Sequence, residues 1–134
     1  IIDNKFLNVP KYGILSFHTA DINKYKGRPS GFYEFIDNAE KGGITLQKLT
    51  NEVDGGQIIE QRNIDISTCC SFDETLYRMM TLKKDLVVNG LNKIENNFIF
   101  NIANKNVKLS INKNSRKIKN VFKCLKKNIL KRYK

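Results

Sequence analysis

Residues 13–18, Gly13-Ile14-Leu15-Ser16-Phe17-His18, form a short apolar run that closes on the chain's single histidine. A run of strand formers this short, bounded by turn residues, reads as a buried strand. Downstream, residues 19–31 mix Gly27, Pro29 and Gly31 with polar side chains and read as a loop. From Ser30 onward, Phe32, Phe35, Ile36 and Ala39 recur at helical spacing, with Ser30 as candidate N-cap and Gly42-Gly43 as the stop. Ile44-Thr45-Leu46-Gln47-Lys48-Leu49 alternates with period two and predicts a half-buried strand. Across a glycine-rich loop at 51–56, Gln57 to Ile64 predicts another. Ser71 followed by Glu74 makes a capping box for a helix running to about Asn96, with Leu76, Met79, Met80, Leu86, Val87 and Leu91 on its apolar face. Residues 98–100 and 107–111 predict two short edge strands. Val121, Phe122, Leu125, Ile129, Leu130 and Tyr133 predict a last helix on a lysine background. Strands and helices together place the chain in the α/β class.

At 134 residues the chain has room for one domain, and 40% hydrophobic side chains are enough for a core, which excludes wholesale disorder. Its apolar runs are far shorter than the roughly 20 residues a membrane-spanning helix needs, and its first residues lack a secretory pattern. The net charge of +11 is unevenly spread. Residues 1–104 hold 12 basic and 13 acidic side chains, a net of −1, whereas residues 105–134 hold 12 basic and none acidic. The basicity is therefore a property of the tail, and the expected division is a domain at 1–104 and a basic tail at 105–134. Cys69, Cys70 and Cys124 follow no metal-binding spacing, and an odd count without a secretory signal reads as reduced and cytoplasmic. No metal is expected.

Two polar residues are placed where chemistry tends to gather. His18 ends a predicted strand, and Asp54 lies in the glycine-rich loop between two others; α/β active sites form where strands give way to loops. A histidine and a carboxylate brought together there would serve as base and orienter. From position alone a lone histidine is more often structural or exposed, and an aspartate before Gly-Gly is more often a turn residue.

The ordered strings carry more. Ser16-Phe17-His18, Asp21-Ile22-Asn23-Lys24-Tyr25-Lys26-Gly27-Arg28-Pro29, Gly43-Ile44-Thr45-Leu46-Gln47 and Val53-Asp54-Gly55-Gly56-Gln57-Ile58-Ile59 together resemble the folate-dependent formyltransferase family. The resemblance is strong over 13–66 and loose over 67–100. It implies the C-terminal part of a Rossmann-like domain with a mixed sheet flanked by helices, preceded in relatives by an N-terminal half. The implied reaction is formyl transfer from 10-formyltetrahydrofolate to a primary amine. The implied catalytic residues are His18, to stabilise the oxyanion or move the amine's proton, and Asp54, to orient or charge-stabilise His18. Val53, Gly55 and Gly56 would lie against the pterin, and Lys24, Lys26 and Arg28 would hold a phosphate of the acceptor.

Ser16 stands where the family usually has asparagine. A hydroxyl donates one hydrogen bond from a shorter reach, so Ser16 enters as an uncertain helper in catalysis or the mark of a lost activity. The string from Ser16 to Phe32 is closest to the branch that formylates amino sugars of surface polysaccharides, which makes a nucleotide- or lipid-linked amino sugar the expected acceptor. A methionyl-tRNA formyltransferase-like protein and a catalytically inactive binding module are the alternatives. The tail's apolar stripe is expected to pack on the domain or to lie peripherally on the anionic inner face of the membrane. Exposed strand edges favour a homodimer, and nucleic acid is the least favoured partner because no aromatic stacking cluster is evident.

Overall fold

The computed structural model describes residues 3–52 and 55–96, Asn101 and Ile102, and five helical positions of the tail, Phe122, Leu125, Lys126, Ile129 and Leu130. In chain order the elements are α1 (Asn4–Leu7), β1 (Leu15–His18), α2 (Phe32–Ile36), β2 (Lys41–Lys48), β3 (Gln57–Asp65), α3 (Phe72–Met80), α4 (Lys83–Glu95) and β4 (Asn101–Ile102). The four strands form one sheet in sequence order, and every pairing among the described residues is antiparallel. The α/β class holds. The expected strands at 98–100 and 107–111 fall on residues outside the described ones.

The second strand is the centre of the fold, and it is more deeply covered than its alternating sequence suggests. From Gly42 to Gln47 every residue is buried. On one face Ile44 and Leu46 join Ile59 of β3 and Leu86 of α4 in a cluster that Leu15 and Phe17 flank. Helix α4 comes so close that the α-carbon of Gly90 faces the Leu46 methyl and Ile59, and a Cβ there would overlap Leu46. The opposite face is roofed by the buried run Thr19, Ala20, Asp21 and Ile22 that follows β1. The Thr45 hydroxyl donates to the Ala20 carbonyl at 3.0 Å, with Oε1 of Gln61 3.3 Å away. Thus one threonine ties that run to the sheet.

The same covering corrects the reading of Gly42-Gly43. The pair lies inside β2 and stops no helix. A Cβ on Gly43 would stand 2.6 Å from the Asp21 backbone nitrogen, so the glycine is needed where the run after β1 crosses the strand. The α2 helix had already ended at Ile36, with Asn38 in the left-handed region at φ 55°, a conformation asparagine tolerates. Ala39 lies beyond the helix, against the Ile66, Cys69 and Met79 cluster. Nor is Ser30 its cap: Gly31 takes that position at φ 72°, with no side-chain hydrogen bond.

The capping reading at Ser71 is borne out on one side. Its hydroxyl accepts the Glu74 N–H at 3.1 Å, while the Glu74 carboxylate turns to the Cys70 N–H at 2.7 Å. Ser71→Ala is expected to cost about 1 kcal/mol, read as a lower urea midpoint at unchanged slope. The predicted single helix from Ser71 to Asn96 is two helices. The Thr81 hydroxyl satisfies the Arg78 carbonyl at 2.7 Å, and the Leu82 N–H turns to Met79 instead. Buried Met79 and Leu86 still fall on the same side, facing the sheet through Gly42 and Leu46 respectively.

Candidate functional site

Strand alternation separates the polar from the apolar residues of β1. Leu15 and Phe17 face the core, so Ser16 and His18 face the other way. Their partners across the ladder are Gln47 for Ser16 and Thr45 for His18. The result is a polar strip on the face roofed by residues 19–22. His18 is 6% exposed and Gln47 4%, while Ser16 is half-buried. Oε1 of Gln47 has no hydrogen-bond partner among the described residues.

The loop after β1 fixes the histidine ring. Asp21 organises the turn: its carboxylate accepts the Asn23 N–H at 3.0 Å, and its carbonyl accepts those of Lys24 and Tyr25 at 2.9 and 2.8 Å. This Asx-type turn brings the Tyr25 carbonyl to 2.8 Å from Nε2 of His18. A carbonyl only accepts, so Nε2 carries the proton in this arrangement and Nδ1 holds the lone pair in the neutral ring.

The basic residues assigned to a phosphate do not form one patch. Lys24 reaches back to Asp21 at 3.4 Å with its side chain exposed, Lys26 is buried at 5%, and Arg28 is exposed. Gly55 and Gly56 are buried, Gly56 close to the Lys48 carbonyl and the Gln47 side chain. Val53 and Asp54 lie outside the described residues, and with them the pairing of His18 with Asp54.

Around the loop that holds Gly55 is a cleft of about 540 Å³, lined among others by Leu7, Leu49, Thr50, Asn51 and Glu52. Its apolar walls and the polar groups of residues 49–52 suit a flat heterocycle with donors and acceptors on its rim. The cleft opens where Lys48 pairs with Leu15, three residues or about 10 Å along β1 from His18. His18 is not among its lining residues.

Glu34, in α2, was not singled out by the sequence reading. It is 1% exposed, and neither carboxyl oxygen has a hydrogen-bond partner among the described residues. Burial pushes its pKa up to about 7, offset in part by the nearby backbone N–H groups of Glu34 and Asp21 and by His18. The Asp21 carboxylate pushes it the same way as burial. The Tyr25 phenol is likewise raised, first by burial and then by Asp37, Glu34 and Asp21. The available signal was a lone charge between aromatic neighbours, Tyr33 and Phe35, on a short apolar helix.

In the tail, the described side chains of Phe122, Leu125, Ile129 and Leu130 are all more than half exposed. Among the described residues no helix is long and apolar enough to cross a membrane.

No family model matches the chain. Over 97 residues, 72% of its length, it is 34% identical to a methionyl-tRNA formyltransferase of Thermotoga neapolitana, covering 31% of that protein. A methionyl-tRNA formyltransferase of Malacoplasma penetrans aligns with 92% of the chain and 43% of its own length at 23% identity. The chain thus spans about a third of the curated relatives it matches. Among solved structures, the formyltransferase PseJ from Anoxybacillus kamchatkensis, in complex with a UDP-linked formamido sugar and tetrahydrofolate, superposes with a TM-score of 0.73 at 18% identity. That match covers 88% of this chain and 62% of PseJ. Phosphoribosylglycinamide formyltransferase from Anaplasma phagocytophilum gives 0.66 at 18% identity, covering 79% of this chain and 55% of its own. At such identities the superpositions establish a common fold.

Proposed function

Because the chain belongs to the folate-dependent formyltransferase family, we propose that it carries part of a site that moves a formyl group from 10-formyltetrahydrofolate to a primary amine. The observation that supports this most is His18: a buried imidazole at the end of β1, held by the Tyr25 carbonyl and set on a polar strip with Ser16, Thr45 and Gln47.

The reaction asks little else of the protein. The amine nitrogen bonds to the formyl carbon, the bond from that carbon to the donor nitrogen breaks, the amine loses one proton and the donor nitrogen gains one. With Nε2 donating to Tyr25, Nδ1 is the nitrogen that exchanges that proton, and Asp54 orients the ring or carries its counter-charge. Ser16, half-buried beside Gln47, is the group on this strip with a hydroxyl to offer the oxyanion. The cleft beside Gly55 takes the pterin. Lys24 and Arg28, the exposed members of the basic loop, meet the acceptor's phosphate, with buried Lys26 behind them.

The acceptor we favour is an amino sugar on a nucleotide or lipid carrier, supported by the Ser16–Phe32 string and the likeness to PseJ. A lipid carrier would give the exposed apolar stripe and lysines of the tail an anionic membrane surface to lie on. Methionyl-tRNA is the second reading, favoured by the 34% identity to a methionyl-tRNA formyltransferase. Calorimetric titration of the protein with 5-formyltetrahydrofolate, a stable donor mimic, tests the common ground. Saturable one-site binding is expected of the full-length product of the gene, and its failure to bind would leave only an inactive module of this fold, whereas binding by the longer protein and not by residues 1–134 would mean that this chain holds part of the folate site. Formylation assays on a nucleotide-linked amino sugar and on methionyl-tRNA then separate the two acceptors.

A further inference from the structure

Glu95 is the last acidic residue of the chain, and all twelve basic residues of 105–134 follow it. Eight of them fall in 117–134. Among these, Ile118, Val121, Phe122, Leu125, Ile129 and Tyr133 recur three or four residues apart, the spacing that gathers side chains into one stripe of a helix. The described positions Phe122, Leu125, Lys126, Ile129 and Leu130 are helical. Phe122 is 65% exposed, Leu125 52%, and Ile129 and Leu130 57% each, so the domain does not cover the described part of the stripe. A row of large apolar side chains held in water marks a contact surface.

Charge decides what fits that surface. Residues 1–104 sum to −1, so the domain has no excess of acid to match a tail of +12, and a second copy would bring the same positive charge. An RNA would match the charge but leave the stripe wet. Residues 117–134 also carry seven lysines to one arginine, point charges in place of the guanidinium planes that stack on bases. An anionic lipid surface satisfies both halves, with headgroups for the lysines and the acyl boundary for the stripe. We propose that residues 117–134 form an in-plane helix on anionic bilayers, with Phe122, Leu125 and Ile129 below the headgroups and Lys126 reaching up among them. Eight charges in this segment keep it on the surface and prevent it from crossing. The proposal goes beyond the formyl-transfer reading and holds for any acceptor.

The chain contains no tryptophan, so Phe122→Trp in the whole chain puts a single fluorescent reporter on the stripe. With vesicles of equimolar phosphatidylcholine and phosphatidylglycerol, its emission should shift to the blue and the protein should sediment with the lipid. Affinity for pure phosphatidylcholine should be about 100-fold lower. Leu125→Asn combined with Ile129→Asn leaves every charge in place and should weaken binding by about tenfold or more. Lys126→Gln combined with Lys127→Gln should weaken it by about tenfold. Sedimentation with unshifted emission would mean adsorption by charge alone and would overturn the proposal, as would failure to sediment. Binding to a single-stranded RNA as tight as to the vesicles, and unmoved by the asparagine pair, would assign the tail to nucleic acid instead. A lower urea midpoint for the asparagine pair in the absence of lipid would place the stripe on the domain and overturn it too. None of these measurements uses folate or an acceptor, so failure here leaves the formyl-transfer reading standing, and failure of that reading leaves vesicle binding in place.

Discussion

Exchange of His18 for glutamine is expected to lower the turnover of formyl transfer by about 10²–10⁴-fold, the range that a lost general acid–base group commands. Glutamine is the informative replacement. Its amide N–H can still donate to the Tyr25 carbonyl that Nε2 now meets at 2.8 Å, so the turn built on Asp21 keeps its anchor. What glutamine cannot do near neutral pH is take a proton and return it. Folate affinity should stay within a few-fold, since the cleft at residues 48–57 does not include His18. Steady-state kinetics beside calorimetry of the same variant give the answer. A kcat within tenfold of the parent would remove His18 from the proton path.

The second large effect is on stability. Leu86→Ala is expected to cost about 2–5 kcal/mol, a large part of the roughly 5–15 kcal/mol that holds a domain of this size together. Leu86 is 0% exposed, and its side chain joins α4 to both central strands through Ile44, Leu46 and Ile59. Gly90, one turn further on, already brings the helix backbone against Leu46, which leaves α4 little room to sink into the vacated space. Leu91→Ala is the control: at 43% exposure it should change stability by less than about 1 kcal/mol. Urea unfolding of both variants, at matched slopes, separates the two outcomes.

Much of this architecture was legible in the sequence, for reasons that are local. Gly13 to His18 could be read as a strand because strand formers, length and flanking turn residues agree. Gln57 to Ile64, one residue short of the observed strand, and the Ser71 cap were read on the same kind of agreement. Gly42-Gly43 could not be, because the demand on Gly43 comes from Asp21, which is distant in sequence and reaches it through the loop after β1. The break at Thr81 was hidden by phase: Met79 and Leu86 are seven residues apart, two turns, so apolar spacing continues across an interruption made by one hydroxyl. Of the candidate site residues, Ser16 and His18 fall on one strip, while the basic loop reads as a unit but divides into exposed Lys24 and Arg28 and buried Lys26. Glu34 escaped because helical spacing marks what is apolar and takes a charge among aromatics for the solvent side.

The notch at Gly90 also bears on how this sequence can drift. Where a leucine methyl on one element occupies the space a Cβ would need on another, positions 46 and 90 are not free to vary one at a time. A larger residue at 90 is admissible after Leu46 has shrunk, and a shrunken residue at 46 leaves a gap that a Cβ at 90 would fill. Either step made first lowers the cost of the other, so lineages descending from this chain should change the two sites together or neither.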